Sequence, residues 1–264
     1  MGPHRLLCGD STDPDTVLRL MDGEVADLVV TDPPYGVSYV GRRTLRRPIA
    51  NDSLTGERLR SLLIRAIASW PLKPGGSFYV CAPTGPTLLE FRIALDTAGL
   101  QLRQSLAWVK HHFVLSRSDY QNKHEAILYG WKDGAPHRFF GGRRQTTVWE
   151  HAKPHKSPWH PTAKPVPLVS RAIENSSMPG EIVFDGFGGG GSVLIACQAL
   201  GRRCRMVEID QAYCDTTVGR WEATTGQSAI LLPAHTRLSP RSPLRNSYGG
   251  ESRWSRARSG EANP

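Results

Sequence analysis

Apolar residues fall in two rhythms along this chain. Short apolar runs at Arg5–Cys8, Asp27–Thr31, Ser77–Cys81, Ser105–Val109, Glu125–Tyr129, Ile182–Phe184 and Cys204–Ile209 have the length and composition of buried strands. Longer stretches carry a helical stripe. Leu54 to Trp70 has apolar residues at 59, 62, 63, 66 and 67, and Pro86 to Ala98 ends at Gly99, a natural C′ position. Val166–Asn175 and Ser192–Leu200, the latter stopped by Gly201, predict two more helices. Pro74-Gly75-Gly76 predicts a turn, and residues 131–160, rich in Gly, Pro, Arg, His and Trp, predict irregular chain. Strands separated by helices predict an α/β domain over residues 1–233 with a mainly parallel sheet. From about 234 the composition turns to Ser, Arg, Pro and Gly, which predicts a disordered basic tail over 234–264.

Size and composition narrow the class. The 264 residues suffice for one large domain with a full core. No apolar stretch approaches the ~20 residues needed to cross a bilayer, and no apolar region follows the first five residues, so a cytoplasmic protein without a membrane partner is expected. The five cysteines form no C-x-x-C pair, which argues against a disulfide framework or a zinc ribbon. The histidines, including His111, His112, His151, His155 and His160, lack metal-ligand spacing, so no metal site is expected. Formal charge is +9, of which residues 235–264, with six arginines and two glutamates, hold +4. The rest concentrates at Arg42, Arg43, Arg46 and Arg47 and at Arg138, Arg143 and Arg144. Such loops suit a polyanion, and solvated loops with no partner explain the charge equally well.

Two motifs carry the chemistry. Asp32-Pro33-Pro34-Tyr35 follows the apolar run Leu28-Val29-Val30-Thr31. It combines a carboxylate at a strand tip, a stiff backbone that lacks two N–H groups, and a flat aromatic face. A site that accepts hydrogen bonds from an amino group while stacking on its ring needs this combination; a proline turn with a buried tyrosine is the plainer alternative. The second motif, Val183 to Ser192, is a strand, a glycine-rich turn and a helix start. Glycines let a ligand approach the backbone, and the helix end supplies free N–H groups. Glu208 ends the next strand, suitably placed for ribose hydroxyls. Gly186, Gly188 and Gly191 also spell the dinucleotide-binding G-x-G-x-x-G, but Asp185 would set a negative charge beside a pyrophosphate. Asp10, Asp32, Asp185 and Glu208 all fall at or just after strand ends, where parallel sheets bind ligands.

With these residues in view the chain resembles the DNA amino-methyltransferases that act on adenine N6 or cytosine N4, in the order where the catalytic motif precedes the cofactor motif. The landmarks run from about Leu6 to Ala229. They are Leu7-Cys8-Gly9-Asp10, Thr31 to Gly36, Lys73-Pro74-Gly75-Gly76, Trp108-Val109-Lys110, His124 to Trp131, His160 to Pro165, the Asp185 loop, and Arg220-Trp221-Glu222 with Thr225-Gly226. The set is similar to prophage-type modification methylases. The resemblance implies a Rossmann-like S-adenosylmethionine-dependent fold with a mixed, mostly parallel sheet of about seven strands and helices on both faces. It implies that Asp32, Pro33, Pro34 and Tyr35 are catalytic. Asp185, Phe187, Gly189, Gly191 and Glu208 would line the S-adenosylmethionine site, with Asp10 near the adenine and Thr162 and Lys164 near the methionine end. The loop departs from the family pattern, with Gly186 for proline and Gly190 for serine, and weaker cofactor binding is expected.

The expected activity is methyl transfer to adenine N6 in double-stranded DNA with the base flipped out. Cytosine N4 shares the geometry, but Ser-Pro-Pro-Tyr is the commoner form there. Cytosine C5 chemistry is discarded, because none of the five cysteines follows proline as that family's nucleophile commonly does. A catalytically inactive DNA-binding relative is the reading from another class. Residues 131–160 stand where a target-recognition segment belongs, with Arg138, Arg143, Arg144, Trp149 and Trp159. Arg143 or Arg144 is expected on a phosphate or guanine edge, and Arg42 and Arg43 on the backbone. A homodimer and a partner restriction nuclease are left open.

Overall fold

The computed structural model describes residues 1–37, 50–115, 118–152 and 163–232. The expectations for Arg42, Arg43, Trp159, His160, Thr162 and the tail therefore lie outside the described residues. The chain begins β1 (Arg5–Cys8), α1 (Pro14–Met21), β2 (Ala26–Thr31), α2 (Gly56–Ala68) and β3 (Leu72–Ala82). It continues α3 (Leu88–Thr97), β4 (Gln101–Val114), β5 (Asn122–Trp131) and β6 (Val148–Glu150). It closes α4 (Val166–Ser176), β7 (Ile182–Asp185), α5 (Ser192–Leu200), β8 (Arg203–Glu208) and α6 (Gln211–Thr225).

One eight-stranded sheet has the order β1-β8-β7-β2-β3-β5-β4-β6. Of these strands β5 runs against the others: it is antiparallel to β3 and β4, while every other neighbouring pair is parallel. The five strands β1, β8, β7, β2 and β3 thus end at one edge, and β5 begins there. The middle of the sheet is buried on both sides, while β1, β4 and β6 keep much of their length exposed or half-buried. Val29 and Phe184 join Leu63, Phe91 and Val17 beneath α1, α2 and α3, whereas Leu28, Val30 and Val183 join Leu168, Leu194 and Trp221 beneath α4, α5 and α6. This two-sided burial explains why β2 and β7 read as unbroken apolar runs rather than as alternating patterns. No described helix is long and apolar enough to cross a membrane.

The structure corrects three local expectations. Pro74-Gly75-Gly76 lies inside β3 as a bulge: the register jumps from Ala26 opposite Leu72 to Leu28 opposite Ser77, and Gly75, at φ 74°, donates to the Lys132 carbonyl at 2.8 Å. The strand continues because neighbouring backbone takes up the turn's polar groups. A short strand, β6, lies in the segment expected to be irregular and adds itself to the sheet beside β4. Within that segment Trp149 is 2% exposed and paired opposite Trp108, so it is a core residue and not a base-reading one. Its indole N–H donates to the Thr146 carbonyl at 3.0 Å, and the Arg171 guanidinium covers its ring 4.7 Å from the centroid. Arg138 is likewise engaged, ion-paired to Glu181 just before β7.

Trp149→Ala is expected to lower unfolding free energy by about 3–5 kcal/mol, the usual cost of emptying a tryptophan site. Urea unfolding checks it. A cost below about 1 kcal/mol, typical of a surface position, would return Trp149 to the recognition segment.

Candidate active site

Parallel strands deliver their last residues to one edge, and here those residues are acids. Asp32 follows β2, Asp185 ends β7, Glu208 ends β8 and Asp10 follows β1 by two residues. Glu125, near the start of antiparallel β5, comes to the same edge through its place opposite Trp108 and next to Ala126, which pairs with Ala82 at the end of β3. Carboxylates so crowded and dry need compensation, and each finds a different one.

Asp32 Oδ2 accepts from the Lys164 ammonium at 2.7 Å. Its Oδ1 is buried without a hydrogen-bond partner among the described residues. Burial raises the Asp32 pKa above its ordinary value, Lys164 pulls it back, the nearby Glu125 charge raises it again, and the Tyr35 hydroxyl favours ionisation. Lys164 also reaches Glu125 Oε2 at 3.2 Å, and Lys110, 5% exposed, holds Glu125 Oε1 at 2.6 Å. Burial alone would raise Glu125, but the two lysines overcome it and hold the carboxyl at about 2. The Tyr35 hydroxyl donates to Glu125 Oε2 at 3.1 Å. Lys164 lies 5.0 Å from the Tyr35 ring centroid and 5.9 Å from that of Trp108, and Phe91 meets Tyr35 edge-on at 6.0 Å.

The backbone after Asp32 is fixed by a residue to which no sequence pattern points. Asp52 Oδ1 accepts from the amides of Tyr35 at 3.0 Å and Gly36 at 3.1 Å. Gly36, at φ 72°, packs against the Leu54 carbonyl so closely that a Cβ would stand 2.2 Å from it. Only glycine fits there.

Around the glycine loop, Asp185 Oδ1 accepts from the Thr31 hydroxyl at 2.8 Å and the Phe187 amide at 3.0 Å. Burial nevertheless pushes its pKa up to about 7, with Asp32 and Glu208 adding repulsion. Glu208 takes the Gly189 amide at 2.7 Å on Oε2 and the Asp210 amide at 2.8 Å on Oε1; burial raises its pKa, and these donors oppose it. At Gly188 a Cβ would meet the Met206 side chain at 2.6 Å, and at Gly191, φ 74°, it would meet Thr217 at 2.7 Å. Packing therefore accounts for those two glycines. At Gly186 a Cβ would find its nearest neighbour at 3.4 Å, an ordinary contact, so packing does not demand that glycine. A cleft lined by Asp10, Ser11, Thr12, Asn51, Phe187 and Glu208 opens beside the loop.

The structure thus brings together Asp10, Phe187 and Glu208 in one cleft, with Asp185, Gly189 and Gly191 in the adjoining loop. Asp32, Tyr35 and Lys164 form a second group. Lys164 is bound to the carboxylate of the proline motif, a contact beyond its expected place by the cofactor's methionine end. Glu125 and Lys110 lie within sequence landmarks that give neither a role; a buried acid and a buried lysine in apolar strands are the signal that could have found them. Arg143 and Arg144 are exposed, and the chain beside them is tied to α4 before and around them and to β4 from Thr147 onward. The Phe140 N–H donates to the Asn175 carbonyl at 2.7 Å near that helix's C-terminal end, and Arg171 donates to Gln145 at 2.8 Å.

With this geometry in place, comparison with known proteins adds lineage. A DNA methylase family model covering N6 and N4 enzymes matches residues 26–219. The type II methyltransferase M.HpaI of Haemophilus parainfluenzae is 24% identical over 244 residues, covering 83% of this chain and 74% of that protein. The M1.HpyAVI–SAM complex superposes with a TM-score of 0.62 at 21% identity, covering 82% of this chain and 98% of the other. The cytosine-N4-specific PvuII DNA methyltransferase gives 0.66 at 16% identity, covering 83% and 86%.

Glu125→Gln is expected to cost about 3–5 kcal/mol at neutral pH, the scale of breaking a buried ion pair. A carboxyl held below its ordinary pKa stabilises the fold fully above its unfolded value and loses that contribution as the pH falls. The gap between the two proteins should therefore narrow as the pH drops from 4.5 toward about 2. Urea titrations across that range check it; a gap independent of pH would refute it.

Proposed function

The chain belongs to the N6/N4 DNA methylase family, and from that premise we propose that it transfers a methyl group from S-adenosylmethionine to adenine N6 in double-stranded DNA. The observation that carries the reading is Asp32 Oδ1, a buried acceptor left without a partner among the described residues, on a carboxylate-lined edge. A buried polar atom of this kind costs free energy unless a ligand satisfies it.

The residues fit the cofactor. Buried Asp185 and Glu208 with half-buried Asp32 make the edge favourable for a cation, and Lys164 offsets only one of the three. Asp10 and Glu208 offer acceptors within the cleft, Phe187 an apolar wall, and the amides opening α5, which has no side-chain cap, suit a carboxylate. When bound, S-adenosylmethionine supplies a methyl group on a positively charged sulfur. On the other side of the edge, Asp32 Oδ1 and the Pro33 carbonyl accept the two hydrogens of the target amine. This draws the nitrogen lone pair out of ring conjugation and orients it. Tyr35 supplies the aromatic surface for a base swung out of the duplex, and Asp52 keeps the tyrosine backbone in register. Asp32 as carboxylate, rather than the serine commoner in cytosine-N4 enzymes, favours adenine. The β4 and β5 strands extend past Glu125 to residues where Phe113, Leu115 and Tyr120 stand exposed beside His111, His112 and Lys123. Exposed aromatic and basic groups suit bases and phosphates.

Asp32→Asn is expected to lower transfer to unmethylated duplex at least about 10²–10³-fold at saturating S-adenosylmethionine, the scale for losing one preorganised hydrogen-bonding group, with a smaller loss of cofactor affinity from the charge removed. Transfer at the wild-type rate would refute the mechanism. Nucleoside digestion of the product should yield N6-methyladenine; N4-methylcytosine would reassign the target. S-adenosylmethionine affinity should rise with pH as Asp185 ionises at about 7 and then level off. Calorimetric titration of wild type and Asp185→Asn tests this, and the same pH dependence in both would exclude Asp185.

A further inference from the structure

Lys164 stands between two carboxylates and two aromatic rings, 8% exposed, and its own backbone is anchored. Its carbonyl accepts the Ser192 hydroxyl at 2.8 Å, so the first residue of α5 ties the lysine to the glycine loop. Glu125 Oε2 holds the ammonium from β5 at 3.2 Å, and Lys110 from β4 neutralises the other Glu125 oxygen at 2.6 Å. Asp32, Lys164, Glu125 and Lys110 thus alternate in sign and sum to zero. A buried ammonium with one carboxylate would need only that partner; the second carboxylate and its own lysine give this one a fixed position.

We propose that Lys164 is a positioning residue: by ion-pairing Asp32 Oδ2 it keeps Oδ1 an unprotonated acceptor for the target amine, while Glu125 and Lys110 hold the lysine in place. The inference rests on the methyl-transfer reading, which it deepens. A protonated Asp32 would present a hydroxyl to the amine and lose part of its accepting capacity. The surroundings favour protonation. Burial and the Glu125 charge from β5 push that way, Asp185 from β7 adds an anion when ionised, and Cys81 from β3 is a buried thiol; the Tyr35 hydroxyl after β2 opposes them but brings no charge. Among the described residues Lys164 is the cation that touches Asp32; Lys110 is paired through Glu125.

Asp32 can be titrated directly by carbon NMR of protein labelled at aspartate carboxyls, with Asp32→Asn assigning the signal. Lys164→Met should raise the Asp32 midpoint by about one unit or more, and Lys164→Arg should restore it. Glu125→Gln removes an anion and should lower the midpoint, a shift of opposite sign. Single-turnover methyl transfer should follow: the defect of Lys164→Met grows about tenfold for each pH unit below its new midpoint, with S-adenosylmethionine affinity within about threefold of wild type, or ~0.7 kcal/mol. An Asp32 midpoint that moves less than ~0.3 unit in Lys164→Met overturns the proposal. So does an equal loss of transfer at every pH with loss of cofactor affinity, which would make Lys164 a cofactor ligand. Should Lys164→Met fail to fold, Lys164→Gln is titrated in its place against the same ~0.3-unit threshold. Should the wild-type protein methylate no DNA, the parent reading fails while the NMR titration still judges the lysine.

Discussion

The contact between Lys164 and Asp32 is the constraint around which the edge is arranged. A parallel sheet brings its strand ends together, and this chain has put acids on most of them. Ionised carboxylates removed from water repel one another and prefer to be neutral. The solutions differ by residue. Glu208 is wrapped by two backbone amides. Asp185 has a hydroxyl and an amide, and its pKa is pushed up to about 7. Glu125 is shared by two lysines and stays ionised. Asp32 combines a cation on one oxygen with a second oxygen that has no partner among the described residues. That asymmetry marks Asp32 as the acid with one buried oxygen free to accept from a ligand.

Topology explains why these groups can meet. β2 and β7 are neighbours, although Thr31 and Asp185 at their ends, joined by a hydrogen bond, are 154 positions apart. From their junction the sheet builds outward in opposite directions, toward β3 on one side and β8 on the other. Such a reversal leaves a crevice beyond the strand ends. The proline motif and the glycine motif follow the two strands that flank this point, so two sites with different chemistry share one boundary. The Ser192–Lys164 hydrogen bond crosses it, making the lysine's position depend on the glycine loop as well as on the acids.

Much of this is legible in the chain, and what escapes it has physical causes. β1 and α5 match the apolar pattern residue for residue because each is bounded by turn-forming or glycine signals. α1 and α6 escape a reading by periodicity despite legible starts: Asp13 accepts from the Asp15 amide ahead of Pro14, and Asp210 accepts from the Ala212 amide. Their apolar stripes are short or diluted by threonine and charge, so capping is the stronger signal there. β6 has three residues, too few to register as a period. The proline–glycine bulge in β3 reads as a turn because the sequence cannot reveal that Lys132 will supply the missing partner. At the site, residue types at strand ends locate the acids. Their pairing is invisible: Lys164 and Asp32 are 132 positions apart, and nothing in local spacing links them. Arg143 and Arg144 illustrate the reverse case. Positive charge points to a nucleic-acid contact, while the anchoring of their flanks to α4 depends on hydrogen bonds to the Asn175 carbonyl and from Arg171 to Gln145, which that charge pattern does not show.

The lysine bears on target choice as well. A serine at position 32 would be neutral, and a buried ammonium beside it would lean on Glu125 alone, which Lys110 already neutralises. The resulting group would carry an uncompensated positive charge at the point where a cationic cofactor must also bind. With aspartate the group is neutral, and the adjoining Asp185 and Glu208 leave room for one more positive charge. Residue 32 and the lysine pair are therefore one electrostatic unit, and the carboxylate form of the motif is the one that this edge accommodates. The adenine preference proposed for this chain thus involves a matched set of charges distributed over β2, β4, β5 and the approach to α4, and not the identity of a single residue in a four-residue motif.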